Sequence, residues 1–273
     1  MLPAPLQPKL FSAFEYRGRT EGGVTRPYRI GARDSHGRSV NVIVKVRNPE
    51  AATGHHAGTS LACELTFAIL ARALGLSVPD YGIVDIGEPF ARTVSDGAAE
   101  QNLLRNVGQN FASEFLPQRQ PWLPRCNRTT GELRQAIDDV LSFDASIFNA
   151  DRTSGNPNLL WDGRDVVHAI DHSLACPANR WTDEQITESP FLPDDRVQKH
   201  CGFTYLRNFG APFSNVTERW QSLATEDFWR DLREIIPERW CQGTDDLDRI
   251  FRFLRERVTR LTQVSDHLRR IVR

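Results

Sequence analysis

The chain has 273 residues, 40% of them hydrophobic, with a formal net charge of −1 and a sequence pI near 6.7. That is enough apolar material for one large domain or two lobes, and the near-neutral balance offers no global field to draw nucleic acid or anionic lipid. Five cysteines without a C-x-x-C pair suggest neither a disulfide framework nor a zinc site. A reducing cytosol suits them. With neither a signal peptide nor an apolar run of membrane-spanning length, the expectation is a cytoplasmic protein with no membrane insertion.

The N-terminal "MLPAPLQPKLFSAFEY" is proline-rich and carries no continuous apolar run. In "RGRTEGGVTRPYRI", Gly18, Gly22 and Gly23 precede the first predicted strand, where bare backbone amides can approach phosphates. The stretch fits neither G-x-x-x-x-G-K-[ST] nor G-x-G-x-x-G, and a plain hairpin loop explains it equally well. Residues 28–46 read as two strands joined by a polar turn, the second rich in β-branched residues and ending at Lys45. After the breaker-rich "RNPEAATGHHAGTS", Leu61, Leu65, Ala68, Ile69 and Leu76 recur at helical spacing, predicting a helix capped by Thr59 or Ser60 and stopped near Gly75. "VPDYGIVDIG" and "VGQNFASEFLP" read as extended segments. The proline-rich "PQRQPWLPRCNRTTG" suits a boundary between lobes, 1–116 and 117–273. Beyond it come a helix, "GELRQAIDDVLSFDASIFNA", then strand "NLLW", turn "DGRD" and strand "VVHAID". The last hundred or so residues are helical in pattern, and the basic "FRFLRERVTRLTQVSDHLRR" reads as a solvated helix face rather than a nucleic-acid patch. Strands with one helix, followed mostly by helices, make an α+β arrangement in two lobes.

Several polar residues stand where burial would be costly without a partner. Asp151 and Asp171 lie at the ends of the strand–turn–strand unit, and the tight turn brings both acids to one end of the hairpin, with Asn158 opening the first strand. Two carboxylates and an amide oxygen form a hard, all-oxygen set suited to magnesium. Taken singly, each residue is equally at home as a turn or capping group. Lys45 ends an apolar strand, and Glu64 lies between Leu61 and Leu65 on the next helix. An ion pair there would settle the carboxylate and aim the ammonium at a nucleotide phosphate. An edge-strand lysine and a surface glutamate are the plain alternative.

The order of these groups along the chain is that of a kinase. "ADRTSGNPNLLW" and "AIDHSLAC" resemble the D-R-x-x-N loop and I-D-x-x-L segment shared by phosphoinositide-kinase-like proteins and HipA-type bacterial kinases. "LACELTFAILARALGLSVPDYG" is similar to the glutamate helix and the segment after it in HipA-like kinases. The resemblance runs over about residues 17–175. It implies a bilobal protein-kinase-like fold with a small β-rich N-lobe, ATP and Mg2+ as cofactors, and γ-phosphoryl transfer to a hydroxyl, most simply a Ser or Thr of a protein substrate. It assigns Lys45 to the α- and β-phosphates with Glu64 orienting it, and Asp151 to the substrate hydroxyl. Asn158 and Asp171 fall to the metal, with Asn156 as second choice, and "SEFL", around Glu114 and Phe115, becomes the hinge whose backbone reads adenine. A toxin or regulatory role with an antitoxin or regulatory partner follows from the same likeness. Other outcomes on such a fold are a lipid or small-molecule kinase, a nucleotidyl transferase and a non-catalytic nucleotide-binding module.

Overall fold

Tyr28–Asp34 (β2) and Ser39–Lys45 (β3) form the expected antiparallel pair, with Ile30 opposite Val42 and both buried. They belong to a larger closed unit. In the computed structural model, which describes residues 1–20, 26–47, 57–122, 129–176, 182, 184, 191–241 and 244–273, five strands close into a barrel in the order β1-β2-β3-β5-β4. The first is Lys9–Arg19 (β1), and the others are Tyr81–Ile86 (β4) and Gly108–Glu114 (β5). β4 closes the ring by pairing parallel to β1, with Phe11 beside Val84. β1 escapes a sequence reading because two register shifts against β2 break its alternation. Ile30, Ala32, Val42, Val44, Val84 and Ile86 fill the interior.

Helix α1 spans Ala57–Ala73, starting earlier than expected, so that Thr59 and Ser60 lie inside it rather than at its cap. Its end is the one predicted. Gly75 takes φ +83°, its N–H donates to the Arg72 carbonyl (3.0 Å), and the Leu76 N–H donates to that of Ala71 (2.9 Å). This is the left-handed glycine stop that satisfies a helix's last carbonyls. α1 is apolar nearly all round, as befits a helix covered on every side. A short helix, Glu88–Ala91 (α2), and one the sequence did not announce, Gly97–Arg105 (α3), bridge β4 to β5. Asp96 caps α3 by accepting the N–H groups of Ala98 and Ala99. From α3 a buried amide ladder runs outward: Tyr28 donates to Asn102 Oδ1 (3.0 Å), Asn106 Nδ2 to the Asn102 carbonyl (2.8 Å) and Asn110 Nδ2 to that of Asn106 (2.7 Å). Asn110 Oδ1 then accepts the Arg47 N–H (3.2 Å), which fixes the chain just past Lys45.

Beyond the barrel lies Gly131–Ile147 (α4), capped by Thr130, whose hydroxyl accepts the Leu133 N–H (3.1 Å). A three-stranded antiparallel sheet follows, Gln120–Pro121 (β6), Leu159–Trp161 (β7) and Val167–Ala169 (β8), in that spatial order. The rest is helical: Asp194–Lys199 (α5), Phe203–Phe209 (α6), Asn215–Leu223 (α7), Glu226–Ile235 (α8) and Thr244–Ile271 (α9). The pattern that reads as one helix over 217–240 is broken at Thr225, which caps α8. A second, larger core is centred on Phe143, Trp220 and Phe253, and α1 belongs to it, packed against α9 and the 3-10 turn Glu238–Trp240. Among the described residues no helix is long and apolar enough to cross a membrane.

Candidate functional site

Lys45, Glu64 and Asp171 come from three elements and meet at one point. The ammonium lies 3.1 Å from Glu64 Oε2 and 2.7 Å from Asp171 Oδ1. Glu64 Oε2 also accepts the His172 N–H at 2.8 Å, so the helix carboxylate grips both the strand lysine and the chain just after Asp171. Burial alone would drive the lysine toward neutrality, but the charges of Asp171 and Glu64 outweigh it and raise its pKa. Burial and the Asp171 charge push Glu64 up to about 7 against the pull of Lys45. Asp171 moves the other way: burial opposes its charge, but Lys45 and the Ser173 hydroxyl and N–H hold its pKa far below the carboxylate range. A cleft lined by Tyr28, Val44, Lys45, Ser60, Leu61 and Ser173 opens beside this cluster. The His172 side chain takes no part. Burial pushes its pKa down to about 3, and its ring packs edge-on against Phe143.

Asp151 stands nearby, close enough that the Asp171 charge, second to burial, raises its pKa. Its Oδ2 accepts the amides of both Asn156 (2.9 Å) and Asn158 (3.0 Å). Between Asp151 and Asn158 the loop folds into a tight turn. Thr153 N–H donates to the Asn156 carbonyl (3.0 Å) and Asn156 N–H to the Thr153 carbonyl (3.1 Å), with Ser154 and Gly155 at the tip. The two asparagines differ in what lies beneath them. Asn158 carries on the β7–β8 ladder, its carbonyl accepting the Ile170 N–H at 3.0 Å, which sets it beside the residue that precedes Asp171, just past the end of β8. Asn158 (φ +44°) and Asp171 (φ +57°) are both left-handed, a conformation Asn and Asp tolerate better than other residues with a Cβ.

Beneath the loop lies a buried ionic group that the sequence reading passed over. Asp144, on α4, accepts from Arg152 Nε (2.5 Å), Asn149 Nδ2 (2.9 Å) and His200 Nε2 (2.9 Å). The Gly202 N–H donates to His200 Nδ1 (3.0 Å), so the ring carries its proton on Nε2 and aims it at the carboxylate. Arg152 Nη1 reaches the Asn158 carbonyl and, at 3.0 Å, that of Ile170. Asn149 Oδ1 accepts the Asp151 N–H at 3.3 Å. Burial opposes ionisation of Asp144, but Arg152 and His200 hold its pKa down at about 2. One signal was legible: Asp144 sits among apolar residues in "LSFDASIF", the same setting that singled out Glu64.

At the hinge, the Glu114 N–H donates to the Asp80 carbonyl (2.6 Å) and the Phe115 N–H to that of Asn41 (2.9 Å). Both donors expected to read adenine are therefore used inside the sheet, and Leu116 carries the next N–H of the segment. Gly22 and Gly23 lie outside the described residues. Among those described, no group of three or more His, Cys, Asp and Glu side chains gathers to hold a metal. The oxygen set of Asp151, Asp171 and the two asparagines is nonetheless of the hard kind that suits magnesium, which takes few protein ligands beside phosphate oxygens.

A strand lysine paired to a helix glutamate, with an Asp–Asn loop and an aspartate just past β8 facing them, is the arrangement of a kinase-like fold. The family model of the HipA-like kinases matches residues 14–270, and the chain belongs to that family. The crystal structure of a proinflammatory kinase of Helicobacter pylori, CtkA, is similar in fold, with a TM-score of 0.52 and 11% identity over 95% of this chain and 97% of that one. Matches to the open conformation of CtTel1 (TM-score 0.34, 12% identity, 92% of this chain, 12% of that one) and to the Leishmania major MAP kinase LmaMPK10 (0.29, 12%, 94% and 82%) are too distant to carry an argument. No curated protein sequence matches the chain. The family's activity implies a phosphotransferase that uses ATP and a divalent metal.

Proposed function

We propose that this chain binds ATP and magnesium between a strand-rich lobe, residues 1–116, and a helical lobe, residues 117–273, and transfers the γ-phosphoryl group to a serine or threonine hydroxyl of a protein. The observation that carries the reading is the Lys45 ammonium held between Glu64 (3.1 Å) and Asp171 (2.7 Å). A buried lysine kept charged and fixed from two sides is prepared for the α- and β-phosphates, with Glu64 orienting it. Asn158 and Asp171 are the metal ligands, and Asn156 is the alternative to Asn158. Magnesium supplies neutralisation of the charge that develops on the phosphate oxygens. Asp151 orients the acceptor hydroxyl and takes its proton as the oxygen bonds to the γ-phosphorus and the bond to the β-phosphate oxygen breaks. Its raised pKa makes it a better proton acceptor than an ordinary carboxylate. The hinge meets adenine at Leu116, past the two donors used inside the sheet. Because phosphoryl transfer depends mainly on positioning and charge neutralisation, these few groups suffice.

A protein acceptor is favoured over a lipid because the chain has a net charge of −1 and no juxtamembrane basic cluster to hold it on an anionic surface. The same reading makes the protein a cytoplasmic toxin or regulatory kinase with an antitoxin or other regulatory partner. Incubation of the purified chain and a cell lysate with α- or γ-labelled ATP tests it. Label from γ-labelled ATP alone, on protein serine or threonine, is the expected result. Label from α-labelled ATP would mean nucleotidyl transfer on the same fold. Nucleotide binding with no transfer of either label would mean a non-catalytic binding module.

A further inference from the structure

We propose that Asp144 is a positioning residue for this reaction: one buried carboxylate that sets where Asp151, Asn158 and Asp171 stand. The inference rests on the kinase reading above and extends it to residues that touch neither nucleotide nor acceptor. Asp144 is fully buried and takes donors from three directions. Through Asn149 it fixes the backbone N–H of Asp151. Through Arg152 it fixes the carbonyls of Asn158 and Ile170, the latter immediately before Asp171. A single guanidinium thus spans the two segments that carry the metal-ligand candidates, one just before β7 and one just after β8, and its geometry sets the gap between them. A lysine would preserve the charge opposite Asp144 but lacks the planar fork needed to reach all three acceptors.

The third donor, His200, adds a link to the far side. It follows α5, forms an isolated bridge with Thr153, and the next residue, Cys201, donates its N–H to the Arg152 carbonyl at 3.0 Å. The catalytic-loop backbone is therefore held from α4 on one side and from residues 200–201 on the other. Partners that orient metal ligands typically change metal affinity 10- to 100-fold when altered. The same scale is expected here.

Binding of Mn2+ in the presence of a non-hydrolysable ATP analogue, followed by loss of the free-Mn2+ paramagnetic resonance signal, reads the metal site without turnover. Arg152→Lys is expected to weaken Mn2+ on the order of 10- to 100-fold, while analogue binding in chelator stays at the wild-type level. His200→Leu, which removes one donor to Asp144, is expected to weaken Mn2+ several-fold. His200→Gln, which restores an N–H within reach of the carboxylate, is expected to recover most of that loss. Wild-type Mn2+ affinity in Arg152→Lys, even with a lowered melting temperature, overturns the proposal and leaves the network a structural one. If Arg152→Lys does not fold, the histidine pair decides: equal Mn2+ affinity in wild type, His200→Leu and His200→Gln overturns it. A wild-type chain that binds no Mn2+ with the analogue overturns both this inference and the kinase reading, whereas the preceding outcomes overturn the inference alone.

Discussion

In the core of the five-stranded barrel most buried side chains are small or branched, Ile30, Ala32, Val42, Val44, Val84 and Ile86 among them, with Phe11, Tyr28 and Phe90 as its rings and no tryptophan. The core outside it is built on Trp122, Phe143, Trp220, Trp240 and Phe253. The two regions also differ in the charge they bury. Beside the barrel the buried polar groups are amides, the Asn102–Asn106–Asn110 ladder from α3 to β5, and the barrel sends one ion to the site, Lys45 at the end of β3. The larger body supplies every carboxylate of the site: Glu64 from α1, Asp144 from α4, and Asp151 and Asp171 from the segments that flank β7 and β8. The barrel thus presents a cation, and the helical body builds the acidic frame that receives it.

The sharpest way to break this comparison is at Asp151. Asp151→Asn is expected to lower turnover roughly 100- to 10,000-fold, the scale of a positioned proton acceptor, while magnesium–ATP still raises the melting temperature. A phosphotransfer assay beside a thermal melt checks both arms. Near-normal turnover with a lower melting temperature would reduce the loop to a structural turn, since a lost cap costs only about 1 kcal/mol.

The junction between the two regions is tested by Lys45→Met and Glu64→Ala. As the residues touch, their effects on ATP-dependent transfer should be non-additive by roughly 1 to 3 kcal/mol in a double-mutant cycle. Additive effects would mean that the barrel's cation works without the helix.

Glu64 also makes the junction sensitive to pH. Its pKa is raised from 4.5 to about 7, so its contribution to stability is fully present below the unfolded value and is lost as pH rises through about 7. Melting of Glu64→Gln should therefore improve relative to wild type between pH 5 and pH 8, by roughly 2 to 3 kcal/mol on the scale of ~1.4 kcal/mol per pK unit. The acid limb of the wild-type rate profile, where Glu64 takes up a proton and loosens its hold on Lys45, should be absent in the variant. A pH-independent difference in melting would place Glu64 outside the titrating group. The smallest effects are expected from the helix caps. Asp96→Ala beside the barrel and Thr130→Ala in the helical body should each lower stability by about 1 kcal/mol. Transfer activity should be nearly unchanged in the first and no more than slightly reduced in the second.

The same contrast explains which parts of the molecule were legible in its sequence. β2, β3, β4 and β5 showed as apolar extended runs, and the Lys45–Glu64 contact was foreseeable because each ion stood in an apolar setting. Strand β1 was not, because its register shifts and partly exposed course leave no period of two. Helix α3 was hidden because its buried positions include an asparagine and make no continuous apolar stripe. The Asp144–Arg152–His200 group was missed for another reason. His200 lies 56 positions from Asp144, and only the folded chain brings them together. Asp144 taken by itself carried the same warning as Glu64, an acid amid apolar helix positions, and could have been marked on that ground.

The packing of α1 against α9 has a consequence in time as well as in space. Glu64 is made early, yet the helix that covers its own helix extends to Ile271. At about 5–20 residues per second, roughly 10 to 40 seconds separate the two during synthesis. Over that interval the barrel strands can pair, but the Glu64 helix lacks its last cover. A nascent chain should therefore acquire a folded sheet before it acquires a working ion pair, and phosphoryl transfer should begin only once the final helix has left the ribosome.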